Sequence, residues 1–181
     1  ASKVEALRDG DVLYHMSTAP KFYGPACQSL AAHGAAGAGT GPWREWAMRD
    51  SDELLFEVGA GAGRVTLNRP RALNALTRGM CVDLFDRLTA WASDPAIERI
   101  EIRGAGERAF CSGADVRAIR QLIAEDGDWL GFFVDEYALN ALIARYPKPY
   151  VAHMSGIDMG GGLGLSAHGS RRLVDASSRL A

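Results

Sequence analysis

From Glu53 onward the chain alternates between short apolar runs and longer segments with apolar residues at helical spacing. The runs ELLFEV and GRVTLN are separated by GAGAG (residues 59–63), and this pattern predicts a β-hairpin. The same glycines match the start of a dinucleotide-binding loop, but such a loop leads into a helix and here a strand follows. We therefore reject a dinucleotide site at this turn.

The next segment has apolar residues at the i, i+4, i+8 and i+11 positions of one helical face, and Pro95 ends it. Those residues are Met80, Leu84, Leu88 and Trp91. The following run, ERIEIRG (residues 98–104), alternates between polar and apolar residues and predicts a strand. The pattern so far is hairpin, helix, strand.

Further helices and strands alternate in the same way towards residue 181. The pattern predicts a helix over about 115–125 and a second one that stops near Tyr146, because Pro147 follows. YVAHM (residues 150–154) reads as a buried strand, and a glycine loop, a short helix and the strand RRLV follow it. Alternation of this kind predicts an α/β domain with crossover connections.

Residues 1–50 differ from the rest of the chain. AAHGAAGAGTG (residues 31–41) is a low-complexity Ala/Gly stretch, and DVLYHM is a candidate short strand. We interpret residues 1–50 as an extension or linker and residues 51–181 as the folded domain.

Charge and cysteine content narrow the function classes. The formal net charge of −2 gives no electrostatic reason to bind nucleic acid or an anionic membrane, and no apolar run is long enough to span a bilayer. The cysteines Cys27, Cys81 and Cys111 show neither disulfide nor zinc spacing, which fits a reducing compartment. Acidic residues near the N-terminus argue against a presequence. We expect a cytoplasmic location, with no metal.

Two glycine-containing loops are candidates for chemistry. GAGERAFCSGAD (residues 104–115) and DMGGG (residues 158–162) each follow a predicted strand and precede a predicted helix. Such loops lie at the ligand-binding edge of an open α/β sheet, and their backbone N–H groups can bind an oxyanion. A P-loop would need Gly-Lys-Ser/Thr after the glycines, but Leu163 follows here. Tight helix–strand packing explains the same glycines equally well.

Three blocks of sequence resemble the crotonase (enoyl-CoA hydratase/isomerase) superfamily. They are GRVTLNRPRALNALT, RAFCSGADV and PKPYVAHMSGIDMGGGLGLSAHG, within a match over about residues 53–175. Around them, DEYALNALIARYPKPYVA and MGGGLGLSAHGSRRLV resemble the hydrolase subfamily that acts on 3-hydroxyisobutyryl-CoA in valine breakdown. The resemblance implies stacked ββα units, here the N-terminal part of the family domain, and an acyl-CoA thioester as ligand. Coenzyme A would enter as part of the substrate, with no other cofactor.

The resemblance also implies site residues. It assigns the two backbone N–H donors of an oxyanion hole to Ser112 and Gly161, and it aligns Glu136 with an acidic position that contacts the active site. A solvated helix charge is the alternative for Glu136. The remaining residues would contact substrate or coenzyme A: Arg71, Ala72, Leu73, Ala109, Gly113, Ala114, Asp115, Val116 and Gly160.

The acidic residues favour hydrolysis over hydration. Hydratases of the superfamily carry a carboxylate where this chain has Gly164, whereas the hydrolases place their essential acids later, which here would be beyond Ala181. Asp158 follows a strand and could be exposed, but a role in the site is the less favoured interpretation, and Cys111 is read as a packing residue. A hydratase/isomerase and a catalytically incomplete acyl-CoA-binding chain stay as alternatives. Superfamily members commonly form trimers and hexamers, so we expect a homo-oligomer.

The oxyanion assignment predicts the effect of deleting one N–H group. In a complete protein, which includes the acids expected beyond Ala181, Gly161→Pro removes the donor at position 161 and should lower kcat for thioester hydrolysis about 10²–10³-fold, because one oxyanion contact is lost. Release of the coenzyme A thiol measures this rate, and an unchanged kcat would contradict the assignment. Comparing thiol release with hydration or migration of a double bond separates the hydrolase from the hydratase/isomerase.

Overall fold

The structure is a computed structural model that describes residues 52–181 and the backbone of two short strands, β1 (Val4–Ala6) and β2 (Val12–Tyr14). β2 confirms the strand expected in DVLYHM. The Ala/Gly stretch over residues 31–41 lies outside the described residues. The division of the chain at residue 50 therefore stays a prediction.

The predicted hairpin is confirmed. Strands β3 (Leu54–Gly59) and β4 (Ala62–Leu67) are antiparallel and in full register. The two residues between them, Ala60 and Gly61, have φ values of 50° and 71°. Positive φ at both positions is the type I′ geometry that matches the twist of a two-residue hairpin, which explains the glycine at the second position.

The helices lie where the apolar spacing places them. The described segments form α1 (Arg78–Ser93), α2 (Val116–Ala124), α3 (Leu130–Ala144) and α4 (Gly161–Ser166). The hydroxyl of Thr77 caps α1 by accepting from the Met80 N–H at 3.2 Å. The predicted face of α1 is buried in the core: Met80, Leu84, Leu88 and Trp91. No helix in this part of the chain is long and apolar enough to cross a membrane.

The remaining strands confirm stacked ββα units. Strands β5 (Arg99–Gly104), β7 (Tyr150–His153) and β9 (Arg171–Val174) run parallel in the large sheet, whose order is β1-β2-β9-β7-β5-β4-β3. Each is followed by a short strand of a second, parallel sheet with the order β10-β8-β6. These short strands are β6 (Ala109–Cys111), β8 (Ile157–Asp158) and β10 (Arg179–Leu180).

The second sheet corrects the interpretation of the first glycine loop. We expected one continuous loop over residues 104–115, but β6 interrupts it. Strands of two or three residues are too short to show a period of two, so the pattern of apolar residues does not reveal them. The small sheet joins β6 to β8, and it thereby brings together the two segments that precede the candidate donors.

A buried asparagine ties the turn after β4 to the small sheet. Asn74 has a left-handed backbone, with φ 54°, and a fully buried side chain. Its Oδ1 accepts from the Arg69 N–H at 3.0 Å, and its Nδ2 donates to the carbonyls of Ala105 and Ala109 at 3.0 and 2.8 Å. One side chain thus satisfies three backbone groups from two distant segments.

Replacing this asparagine should destabilise the domain. Asn74→Ala leaves buried backbone groups without partners and puts alanine in a left-handed conformation, so we expect a loss of about 2–4 kcal/mol in the free energy of unfolding. Urea unfolding at unchanged m measures it. Asn68→Ala is the control, because it removes a side-chain hydrogen bond, to the Asp52 carbonyl, that is exposed. Equal losses for both variants would contradict the role of Asn74.

Candidate active site

The loop after β6 is held against the turn after β4 by backbone pairing. The Leu76 N–H donates to the Gly113 carbonyl, and the Asp115 N–H donates to the Leu76 carbonyl, both at 2.8 Å. Leu76 and Ala114 therefore form a parallel bridge. In such a bridge the residue flanked by the two bonds directs its own N–H to the opposite side. The Ala114 N–H points away from Leu76 and has no acceptor among the described residues.

The same pairing contradicts the assignment of an oxyanion donor to Ser112. Its N–H donates to the Leu73 carbonyl at 3.0 Å, so this hydrogen is not available to a ligand. The Gly113 N–H faces the Cys111 sulfur at 3.4 Å. Ala114, which we had placed only among the substrate contacts, is the residue of this loop whose N–H is unbonded.

Gly161 supplies a second unbonded N–H. It is the first residue of α4, and the N–H groups at a helix start have no acceptor within the helix. The neighbouring Gly162 and Leu163 N–H groups donate to the carbonyls of Met159 and Gly160 at 2.9 and 3.0 Å. No acceptor for the Gly161 N–H occurs between residues 52 and 181.

The two loops are in contact. A Cβ atom built on Gly113 would lie 3.4 Å from the Gly161 nitrogen and 3.6 Å from the Gly160 Cα. Gly113 immediately precedes Ala114, so the residues with unbonded N–H groups lie on touching segments. Two unpaired backbone donors close together are the components of an oxyanion-binding site.

Glu136 places a carboxyl group beside this contact. It lies on α3 with only 7% of its surface exposed, and a side chain on Gly161 would collide with its Oε1. Burial raises the pKa of Glu136, and no hydrogen bond to it occurs in the described part of the chain. The alternative for Glu136 was a charged side chain on the helix surface. That description fits the neighbouring Asp135 instead, which pairs with Arg78 at 2.6 Å.

Position 164 is closed to an acidic side chain. A Cβ on Gly164 would lie 2.5 Å from Nδ2 and 2.6 Å from Oδ1 of the buried Asn140. Such distances are too short for real contacts, so Asn140 occupies the space that a larger residue would need. A side chain at position 164 would therefore require the Asn140 amide on α3 to move.

Asp158 is buried, so the exposed position that the sequence left open for it is not the one it occupies. It lies in β8, the middle strand of the small sheet, with no accessible surface. Burial raises its pKa to about 6, although the hydrogen bond from the Ser166 hydroxyl at 2.7 Å acts in the opposite direction. A Cβ on Gly162 would collide with Asp158 Oδ1, so Gly162 is a packing residue.

The residues expected to contact coenzyme A divide by exposure. The accessible ones are Arg71, Ala72, Leu73, Ala114, Val116 and Gly160. Ala109 and Gly113 are buried, and the Ala109 carbonyl accepts a hydrogen bond from Asn74. Their assignment as ligand contacts stays a prediction. Both carboxylate oxygens of Asp115 are occupied, one by Arg69 and one as the cap of α2.

The thiol of Cys111 is unsuited to nucleophilic chemistry. Cys111 is buried, and burial raises its pKa to about 12, so the reactive thiolate form is disfavoured. This confirms Cys111 as a packing residue. Over residues 52–181, no three or more His, Cys, Asp or Glu side chains form a group that could hold a metal ion.

Comparison with known proteins identifies the family. Residues 62–181 match the family model described as Enoyl-CoA hydratase/isomerase. The chain belongs to the enoyl-CoA hydratase/isomerase family. The zebrafish (Danio rerio) mitochondrial 3-hydroxyisobutyryl-CoA hydrolase is 47% identical over 131 residues, which are 71% of this chain and 34% of that protein. The human hydrolase is 44% identical over 130 residues, 68% of this chain and 32% of that protein.

Solved structures of the family share the fold. A carnitinyl-CoA dehydratase from Mycobacterium thermoresistibile matches with a TM-score of 0.70 and 47% identity, over 72% of this chain and 39% of that one. An enoyl-CoA hydratase from Rhodobacter sphaeroides matches with a TM-score of 0.67 and 40% identity, over 71% and 39%. The chain spans about a third of the length of the vertebrate hydrolases it matches.

These family members contradict the expected cytoplasmic location. The vertebrate hydrolases are mitochondrial proteins. Cysteine usage and overall charge could not reveal this, because a reducing interior and an ordinary composition are common to the cytosol and the mitochondrial matrix.

The raised pKa of Asp158 predicts how stability depends on pH. From about pH 4 to about pH 6 the unfolded chain loses the Asp158 proton while the folded domain retains it, so the free energy of unfolding should fall over this window, by up to about 3 kcal/mol. Asp158→Asn should remove most of this decline, measured by urea unfolding at several pH values.

Asp175→Asn is the matched control for this measurement. Four donors, first the Ser155 hydroxyl and then the Ser177 hydroxyl, the Ser177 N–H and the Ser178 hydroxyl, lower the pKa of the exposed Asp175 to about 2. Its contribution to stability is therefore lost only as the pH falls below 4. A decline between pH 4 and 6 that is the same in wild type and Asp158→Asn would contradict the assignment.

Proposed function

We propose that this chain is part of an acyl-CoA thioester hydrolase with 3-hydroxyisobutyryl-CoA as its substrate, an activity of valine breakdown. The observation that carries the proposal is the pair of unbonded N–H groups of Ala114 and Gly161 on touching loops, next to the buried carboxyl group of Glu136. The identity to vertebrate 3-hydroxyisobutyryl-CoA hydrolases supports this choice of substrate.

The thioester carbonyl would accept hydrogen bonds from both N–H groups. When water or a carboxylate attacks the carbonyl carbon, its oxygen becomes an oxyanion, and donors fixed beforehand by the fold stabilise that charge without reorganisation. The neighbouring N–H groups of Ser112 and Asp115 are already bonded to backbone carbonyls, so they do not compete with the Ala114 N–H for the thioester oxygen. The exposed residues around Arg71 and Val116 would contact the coenzyme A portion.

Glu136 would take part in proton transfer at this site. A carboxyl group whose pKa is raised by burial holds its proton at higher pH than an exposed one, and it can then exchange that proton with a reacting group. The departing thiolate of coenzyme A needs a proton, and attacking water must lose one. Acids beyond Ala181, which the resemblance implies, stay a prediction, and so does the expected self-association.

A hydratase is the second candidate, because a carnitinyl-CoA dehydratase and an enoyl-CoA hydratase are 47% and 40% identical to this chain. Both reactions use polarisation of a thioester carbonyl, so the N–H pair serves either one. Closure of position 164 by Asn140 weighs against the hydratase. A chain that binds acyl-CoA without turnover is the third alternative, and measuring thiol release beside double-bond hydration separates the three.

Replacing single backbone amides by esters tests the donor assignment. An ester at residue 114 or 161, made with lactic or glycolic acid, deletes one N–H without adding a side chain, and we expect kcat for thiol release to fall about 10²–10³-fold at either position. This test is cleaner than Gly161→Pro, because the Cβ of proline would collide with Glu136.

An ester at residue 112 is the control. It removes only the Ser112 N–H, which is already bonded to the Leu73 carbonyl. It should therefore lower stability, while kcat falls much less than with the ester at residue 114. A larger loss of kcat at residue 112 than at residue 114 would restore Ser112 as the donor. If the esters at residues 114 and 161 lower the rate of double-bond hydration equally, and no thiol release is detected, the hydratase is favoured.

A further inference from the structure

A single arginine joins both segments of the bridge that presents Ala114. Arg69 lies in the turn after β4, and its Nη1 donates to the Ala75 carbonyl at 2.6 Å. Its Nη2 donates to Asp115 Oδ2 at 2.9 Å. Ala75 precedes Leu76 and Asp115 follows Ala114, so the guanidinium contacts the residue adjacent to the bridge on each side.

Arg69 is itself held in one orientation. Its Nε lies 2.9 Å from Glu53 Oε1, and the other oxygen of Glu53 accepts from the Thr77 hydroxyl at 2.9 Å. The backbone N–H of Arg69 donates to the buried Asn74. A planar guanidinium bound along two edges has little freedom to rotate, and its side chain is only 20% exposed.

The Ala114 N–H belongs to the peptide between Gly113 and Ala114, whose carbonyl accepts from the Leu76 N–H, and Asp115 fixes the peptide that follows. The second oxygen of Asp115 caps α2 by accepting from the N–H groups of Arg117 and Ala118, both at 3.2 Å. Asp115 is thus fixed by Arg69 on one side and by a helix on the other, and its own N–H is bonded to Leu76. On the other side, the Ala75 carbonyl that Arg69 binds shares a peptide with the Leu76 N–H, which in turn holds the Gly113 carbonyl. With the peptides on both sides of Ala114 bonded in this way, the Ala114 N–H has one direction.

We propose that Arg69 is a positioning residue, which aims the Ala114 N–H at the thioester carbonyl through Asp115 and the Leu76–Ala114 bridge. This inference rests on the proposed function, and it goes beyond it by assigning a role to a side chain outside the two loops. Arg69 does not contact the substrate. Its effect is on the geometry of one hydrogen bond, whose strength falls steeply when the donor is misdirected.

The charge state of Asp115 agrees with this role. Burial is the largest single influence on the pKa of Asp115 and acts to raise it, but the hydrogen bond and charge of Arg69, together with the N–H groups of Ala118 and Arg117, lower this pKa overall. Asp115 is therefore a carboxylate at neutral pH. Charge-assisted bonds of this kind are shorter and stronger than neutral ones.

The test measures polarisation of the carbonyl and not only activity. Isobutyryl-CoA labelled with ¹³C at the thioester carbonyl is added to the chain, and infrared spectroscopy records the carbonyl stretch, which moves to lower frequency when the oxygen accepts hydrogen bonds. In Arg69→Lys we expect most of the wild-type shift to be lost, because lysine keeps the charge but lacks the planar guanidinium with N–H donors along two edges. The Kd of free coenzyme A should stay close to the wild-type value.

Arg64→Lys is the matched control. Arg64 also pairs with a carboxylate, Glu101 at 3.2 Å, but it lies on β4 in the large sheet. Its variant should keep the full shift. Asp115→Asn is a second variant that keeps a good cap for α2 and loses the charged partner, so the measurement does not depend on whether Arg69→Lys folds. If both residues act through one contact, the double variant should lose no more of the shift than the larger single loss.

The outcomes separate the inference from the proposed function. A wild-type shift that persists in Arg69→Lys and in Asp115→Asn would overturn the positioning role and leave the thioester site intact. A wild-type chain that binds isobutyryl-CoA without any shift, or does not bind it, would overturn both. Loss of the shift together with loss of coenzyme A binding in Arg69→Lys would show a merely structural role.

Discussion

The backbone bridge between Leu76 and Ala114 is the interaction on which the candidate site depends. Inside a protein nearly every backbone N–H must find an acceptor. The turn after β4 provides those acceptors for Ser112 and Asp115. Of the two N–H groups between them, that of Gly113 faces the Cys111 sulfur, and that of Ala114 is directed to the opposite side. The same rule that stabilises the loop therefore creates its unbonded donor, and Asn74 anchors the turn that does so.

The glycines of the second loop serve packing and chemistry at adjacent positions. Gly162 and Gly164 leave room for Asp158 and Asn140, so at these positions the packing explanation is correct. Gly161 leaves room for Glu136 and also carries an unbonded N–H. Because position 161 has no side chain, the carboxyl group of Glu136 can contact the loop.

Four carboxyl groups of this domain fall into two electrostatic classes. Asp115 and Asp135 are paired with arginines, and they stabilise the loop and helix that flank the site. Glu136 and Asp158 are buried, and burial raises the pKa of each. Only Glu136 lies against Gly161. An acid that is buried without a basic partner at a ligand site is typical of proton-transfer groups in enzymes.

The sequence by itself determined the α/β alternation, the buried face of α1 and the family, because regular spacing and motifs are local properties of the chain. It also placed Gly161 and Glu136 in one site by resemblance. Only the tertiary structure decided between Ser112 and Ala114, since the answer depends on which N–H the distant Leu73 carbonyl accepts. The burial of Asp158 in a two-residue strand and the contact between Arg69 and Asp115 were likewise invisible, because both arise from segments that fold together without any periodic signal.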